Sequence, residues 1–282
     1  MSTRRPAVAG SFYPRAPDQL REEIEHCFLH ELGPGRLPDL GKEPSERKIV
    51  GVVCPHAGYT YSGPVASHAY FALSQQSPPD VVIVIGPNHY TFGSPVAIMS
   101  EGEWATPLGK VKIDKELTDR LVQSGLVDVD DDSHRNEHSV EVQLPFLQYI
   151  YRNPFGIVPI SMGMQDLDIS RSLGADLAHI LQDRNALLIA SSDLSHYVPQ
   201  SAAQQMDGYV IDSLRKLDEG QLHGLVNAYR ITTCGYGPMT AVLVASKILG
   251  ATTSKLLSYQ TSGDVSGDYS AVVGYCSVVI SR

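Results

Sequence analysis

The chain has 282 residues, 43% of them apolar, with 22 Lys and Arg against 31 Asp and Glu, a formal charge of 22 − 31 = −9. This composition suits a globular protein with a substantial core. An acidic balance without a basic stripe excludes nucleic acid as the main ligand and gives no electrostatic ground for binding anionic membranes.

No apolar run is long enough to span a bilayer. The first residues, Met1 to Pro6, lack the apolar region of a signal peptide. The four cysteines (Cys27, Cys54, Cys234, Cys276) show no CxxC spacing. They point to a reducing, cytoplasmic setting rather than a disulfide framework.

In chain order, Pro6 to Pro14 reads as an extended lead-in. Asp18 is placed as the cap of a helix on which Leu20, Ile24, Cys27/Phe28 and Leu32 recur at helical spacing, stopped by Gly33-Pro34-Gly35. A strand over Lys48 to Cys54 follows. Pro64 is expected in the first turn of a helix that runs to about Leu73. Asp80 to Ile85 and Pro95 to Met99 read as strands, Trp104 to Ile113 as a hairpin, and Asp114 as the start of a helix. Glu137 to Tyr149 is predicted helical with a kink or early end at Pro145. Then come a strand (Gly156 to Ser161), a helix (Ile169 to Leu181), a strand (Ala186 to Ala190), helices over Ala202 to Leu217, Gln221 to Tyr229 and Pro238 to Leu249, and two closing strands, Lys255 to Tyr259 and Tyr269 to Ile280. No composition shift marks a linker. Residues 1–282 are read as one α/β domain with a mixed central sheet and helices on both faces.

Three apolar runs of this chain are followed closely by a histidine: Ile49 to Cys54 by Pro55-His56, Val81 to Ile85 by Gly86-Pro87-Asn88-His89, and Ala186 to Ala190 by Ser191-Ser192-Asp193-Leu194-Ser195-His196. Continuous apolar runs are the pattern of parallel strands buried on both faces. In open α/β sheets, ligands bind beyond the carboxyl ends of such strands. The histidines and Asp193 are therefore expected to converge at one mouth although they are far apart in sequence. Neutral imidazole is a common ligand for iron, copper and zinc.

Asp193 is a candidate to ligate a metal or to orient His196, and His196 a candidate general acid/base. Cys234, in Thr232-Thr233-Cys234-Gly235-Tyr236-Gly237-Pro238, lies before a predicted helix whose dipole is expected to lower its thiol pKa. It is a candidate soft ligand or redox thiol, and a small buried residue otherwise. His138 and Glu141 are expected at i and i+3 on one helix face, near the site but not on the metal. Walker, GxGxxG, GxSxG, HExxH and EF-hand patterns are absent.

Several blocks together carry a resemblance: Arg5-Pro6-Ala7-Val8-Ala9-Gly10-Ser11-Phe12-Tyr13-Pro14, Pro55 to Gly63, Gly86-Pro87-Asn88-His89, Glu137-His138-Ser139-Val140-Glu141, Ser191 to Tyr197, and Cys234 to Pro238. In this order they resemble the Memo family, whose microbial members are called AmmeMemoRadiSam system protein B. The resemblance implies a fold like that of class III extradiol dioxygenases, non-haem iron enzymes that open catechol rings. By position, it implies that His56 and His89 are metal ligands and His196 the acid/base. It also implies that Cys234 stands where those enzymes carry a carboxylate ligand. A thiolate there favours iron or copper, with zinc the weaker candidate, and argues against simple extradiol cleavage.

Phe12 and Tyr59 are placed as walls of a pocket for a small molecule or peptide. The expected activity is a metal-dependent oxidoreductase. The alternatives are a binding module acting with radical-SAM and AMMECR-type partners, and metal-assisted hydrolysis.

Overall fold

The computed structural model describes residues 2–90 and 92–282. The first half of the chain supplies β1 (Thr3–Arg4), α1 (Pro17–Leu29), β2 (Ile49–Cys54), α2 (Tyr59–Ser74), β3 (Val81–Pro87), β4 (Val96–Ile98), β5 (Glu103–Thr106), β6 (Gly109–Ile113), α3 (Lys115–Val122), β7 (Asp128–Val129), α4 (Asp132–Arg135) and α5 (Gln143–Ile150). The second half supplies β8 (Gly156–Met162), α6 (Leu167–Ile180), β9 (Ala186–Ser191), β10 (His196–Val198), α7 (Gln200–Arg215), α8 (Glu219–Tyr229), α9 (Tyr236–Ile248), β11 (Thr253–Thr261), α10 (Ser262–Ser266) and β12 (Val272–Ser281).

The four long apolar runs form the parallel centre of a mixed sheet, in the order β8-β3-β9-β2. β12 adds antiparallel to β2, and β11 antiparallel to β12. At the other side β8 is flanked by β4, antiparallel, and by the β5–β6 hairpin, with β1 beyond it.

Alternation along each strand feeds two cores. Val53, Ile83, Ile85, Leu188 and Ala190 pack with α3, α6, α7, α8 and α9. Val52, Val82, Val84, Leu187 and Ile189 pack with α1, α2 and α5. Each such Val, Leu or Ile side chain, fully buried, contributes roughly 1.5–3 kcal/mol. Helices cover both faces, so the open ends of the central strands are the places left for chemistry. Among the described residues, no helix is long and apolar enough to cross a membrane.

Local corrections have physical causes. Helix α1 starts on Pro17 after Ala16, with no side-chain cap, so Asp18 lies in the first turn instead of capping. Helix α2 begins at Tyr59, and Pro64 sits inside it, where its missing N–H removes one intrahelical bond. The predicted helix over 137–149 begins only at Gln143, which puts Pro145 in the first turn, where proline is tolerated. Residues 137–142 turn irregularly because the Glu137 carboxylate accepts the backbone N–H groups of His138 and Ser139, both at 2.8 Å. His138 and Glu141 consequently do not share a helix face.

His134 of α4 is fully buried, its ring edge-on to Trp104 at 5.7 Å. Burial, then the Arg4 charge, pushes its pKa down to about 4. An unfolded histidine titrates near ~6.5, so between those values the unfolded chain binds a proton that the folded one refuses. Its contribution is therefore intact above the unfolded pKa and is lost as pH falls toward the folded one, by about 3 kcal/mol in total. Urea midpoints measured across that window are expected to fall less steeply with acid in His134→Leu than in the parent, whatever the variant's stability at neutral pH.

Candidate metal centre

The ends of β2 and β9 lie side by side, with Cys54 in register with Ser191. The chain leaving β2 turns through Pro55 into His56, which is 1% exposed. Its backbone N–H donates to Asp193 Oδ1 at 2.7 Å, so the tip of one strand anchors the tip of its neighbour. Its ring presents Nδ1 to Ser191 Oγ at 3.0 Å and Nε2 to Cys234 Sγ at 3.3 Å.

His89 follows β3. Its backbone N–H donates to Glu137 Oε2 at 2.7 Å, and its Nδ1 lies 3.0 Å from Glu137 Oε1. A carboxylate on one ring nitrogen is the usual outer support of a metal-ligating histidine, and it leaves Nε2 free.

Cys234 occupies the loop before α9. Its Sγ accepts the backbone N–H of Asp193 at 3.2 Å. Gln165 braces the loop, donating to the Cys234 carbonyl at 2.8 Å and accepting from the Gly237 N–H at 2.9 Å. The loop can approach this closely because of Gly235. A Cβ there would lie 2.6 Å from Ser192 Cβ and 2.9 Å from the Ser191 carbonyl oxygen. Gly235→Ala is expected to lower stability by about 1–3 kcal/mol through overpacking and to displace Cys234, read as a lower urea midpoint together with weakened metal binding.

One donor atom from each of His56, His89 and Cys234 falls within a set whose members lie within 4.8 Å of one another. For metal–nitrogen bonds of about 2.0–2.1 Å and a metal–sulfur bond of about 2.3 Å, two ligands 90–110° apart are separated by roughly 3.1–3.6 Å. The His56–Cys234 separation falls in that interval, so the residues fit a small, soft or borderline cation. Exposure rises from buried His56 through Cys234 to His89, which opens the cluster to solvent on one side.

At His56 the electrostatics agree with that fit, while at Cys234 and His89 the metal-free chain favours the protonated form. Burial, then the neighbouring His138 and His89, holds the His56 pKa well below the usual range, so the ring is neutral and able to ligate. Burial and then the Asp193 charge push the Cys234 thiol up, which corrects the expectation of a dipole-lowered pKa. A bound cation would reverse that balance, since coordination deprotonates a thiol. Burial raises Asp193 to about 6, against the opposing His56 N–H bond. At His89 burial alone would lower the pKa, but the Glu137 hydrogen bond and charge outweigh it and the net shift is upward.

The other candidate residues take different places. His196 stands at the rim, half-buried, its N–H donating to Thr232 Oγ1 at 2.7 Å and its Nδ1 2.8 Å from the Thr232 carbonyl oxygen. Thr232, and not Asp193, orients it; among the described residues no hydrogen bond joins Asp193 to His196. His138 stacks on His89 at 4.5 Å, stands edge-on to His56 at 5.3 Å, and carries Phe12 at 4.8 Å on its outer side. Burial brings the His138 pKa down to about 4.

Two further residues stand elsewhere than the sequence suggests. Tyr59 is 3% exposed and donates its hydroxyl to the Val142 carbonyl at 2.6 Å, so it lies under the site and does not wall it. Glu141 is fully buried and holds Arg4, Ala7, Val8 and Tyr13, out of reach of any molecule in the mouth.

Nothing in the sequence around Glu137 points to its role as the support of His89. With His89 and His138 it forms a second group of donors within 4.8 Å. Its oxygens already accept the backbone N–H groups of His89, His138 and Ser139, as an anchor would.

A family model described as Memo-like protein matches residues 4–279. A MEMO1 family protein of Methanopyrus kandleri is 50% identical over 282 residues, covering 99% of each chain. One of Methanothermobacter thermautotrophicus is 50% identical over 275 residues, covering 96% of this chain and 98% of the relative. The crystal structure of an uncharacterized protein from Escherichia coli K12 shares the fold, with a TM-score of 0.57 at 18% identity over 83% of this chain and 100% of that one. A match from Arg4 to Val279 and half-identical relatives of the same length leave one conclusion: the chain belongs to the Memo family.

Proposed function

We propose that this protein is a metal-dependent oxidoreductase that holds one iron or copper ion between His56, His89 and Cys234. The observation that carries the reading is the approach of His56 Nε2 to Cys234 Sγ, 3.3 Å, with His89 in the same cluster and both histidines engaged through Nδ1. A thiolate with two imidazoles selects soft or borderline cations over magnesium or calcium. Such an ion, when bound, supplies redox chemistry and open positions for a small ligand.

The chain's own residues supply the rest. His196 keeps Nδ1 on Thr232 and has Nε2 left to take or give a proton at the rim. His138 and Phe12 form one wall. Asp193 anchors the His56 backbone and shapes the Cys234 loop. The four cysteines, all free, support a reducing compartment such as the cytoplasm.

The test is elemental analysis of the purified protein, followed by anaerobic loading with iron(II) or copper and measurement of dioxygen uptake with candidate reductants. About one ion per chain and metal-dependent uptake are expected. A metal-replete protein inert to dioxygen under all these conditions contradicts the oxidoreductase reading, and an activity indifferent to oxygen favours hydrolysis.

A second reading, a docking module, is favoured by Tyr197 beside His196. This aromatic is 78% exposed and sits at φ 57°, a strained conformation for a bulky residue. In this reading the rim receives a peptide or a partner of the radical-SAM or AMMECR type. A stable complex lost in Tyr197→Ala, with no turnover by the loaded protein, would support it.

A further inference from the structure

We infer that Ser191, which offers no ligand atom, sets the tautomer of His56 and thereby leaves the ring nitrogen that faces Cys234 without a proton; its consequence for metal binding rests on the reading above. Ser191 ends β9 and is fully buried. A serine hydroxyl has one hydrogen to give and two lone pairs to share, and Ser191 has three polar neighbours: the Ser139 carbonyl oxygen at 2.6 Å, Gln143 Nε2 at 2.7 Å and His56 Nδ1 at 3.0 Å.

The roles are forced. A carbonyl only accepts, so Ser139 takes the single hydrogen. Gln143 Nε2 only donates, so it takes one lone pair. The amide cannot be turned over, because the same nitrogen donates to the Pro55 carbonyl at 2.9 Å while Oε1 receives the Tyr70 hydroxyl. One lone pair remains, and it faces His56 Nδ1. That nitrogen must carry the proton, and Nε2 is left bare toward Cys234. The opposite tautomer would need the Ser191 hydrogen for His56, stripping a buried carbonyl of its donor, and would place an N–H where a ligand lone pair is required.

The relay also ties the strands together. Ser139 donates its own hydroxyl to the Pro87 carbonyl at 3.0 Å, just ahead of His89, so the same contacts that fix His56 locate the segment supporting His89. Ser191 is thus a positioning residue, with Gln143 orienting it.

Long-range proton–nitrogen correlation NMR on the metal-free, histidine-labelled protein tests this directly. His56 is expected to show a protonated Nδ1 and a bare Nε2. Ser191→Ala is expected to give mixed His56 tautomers and to weaken iron(II) or copper binding by about 10–100-fold, the usual effect of losing an outer partner. Ser191→Thr, which keeps the hydroxyl, is expected to retain the parent tautomer. A parent protein with Nε2 protonated overturns the inference and needs no variant to fold. An unchanged tautomer in folded Ser191→Ala overturns it as well. Failure of the metal reading looks different: no iron or copper bound, with His56 still protonated on Nδ1, which upholds the tautomer assignment.

Discussion

Replacing Cys234 with serine, or His56 with alanine, is expected to weaken iron(II) or copper binding by at least about 100-fold, beyond the range typical of losing an outer partner. Each variant removes one of only three donors. Serine cannot stand in for cysteine, because its hydroxyl stays protonated where a thiol yields its proton to the metal. The Cys234 thiol is raised above its usual range by burial and by Asp193, so binding must displace that proton. Apparent affinity in the parent is therefore expected to rise with pH, by up to about tenfold per unit while the thiol titrates with binding. In Cys234→Ser that component of the slope should vanish. Titration calorimetry at several pH values reads both effects. Metal content equal to the parent in both variants would remove these residues from the coordination sphere.

Breaking the buried Arg4–Glu141 pair is expected to destabilise the fold by about 3–5 kcal/mol, because one charge then remains buried and unpaired. The pair is closed at 2.6 Å with side chains 4% and 0% exposed. Arg4 also donates to the carbonyl oxygens of His134 and Glu137, and its guanidinium lies 4.0 Å from the centre of the Trp104 ring. Glu141 in turn accepts from the backbone N–H groups of Ala7 and Val8 and from the Tyr13 hydroxyl at 2.5 Å. The N-terminal segment is thereby fastened to the loop that carries Glu137 and His138. Glu141→Gln and Arg4→Met should each lower the melting temperature by roughly 5–10 °C for a chain of this size. The double variant Arg4→Met/Glu141→Leu should recover part of that loss, since no lone charge remains. Single changes that leave the melting temperature untouched would contradict this account of the clamp.

How far the sequence could be read depended on whether a signal was local. The strands carrying His56, His89 and Asp193 announce themselves as apolar runs, so their meeting at one sheet end follows from the rule for parallel sheets. Cys234 has no such run behind it, and its place beside His56 came from family likeness alone. In sequence Glu137 reads as an acidic residue at a helix start, and only the fold reveals that it supports His89. The spacing of three from His138 predicts Glu141 near the pocket, but the helix that would align them begins two residues after Glu141. Ser191 and Gln143 are ordinary polar residues in sequence. Their roles depend on three segments, around Pro55, Ser139 and Ser191, meeting within hydrogen-bond reach, which no spacing along one chain segment encodes. The raised Cys234 thiol has the same origin, since burial and the nearby Asp193 outweigh the helix end that the sequence displays.

The central claim is best tested by anomalous diffraction at the iron and copper edges, on crystals of protein supplied with each metal. A single peak at about 2.0–2.3 Å from His56 Nε2, His89 and Cys234 Sγ is predicted. Metal-replete crystals with no peak among these three side chains, or with one held instead by His89, Glu137 and His138, would contradict it.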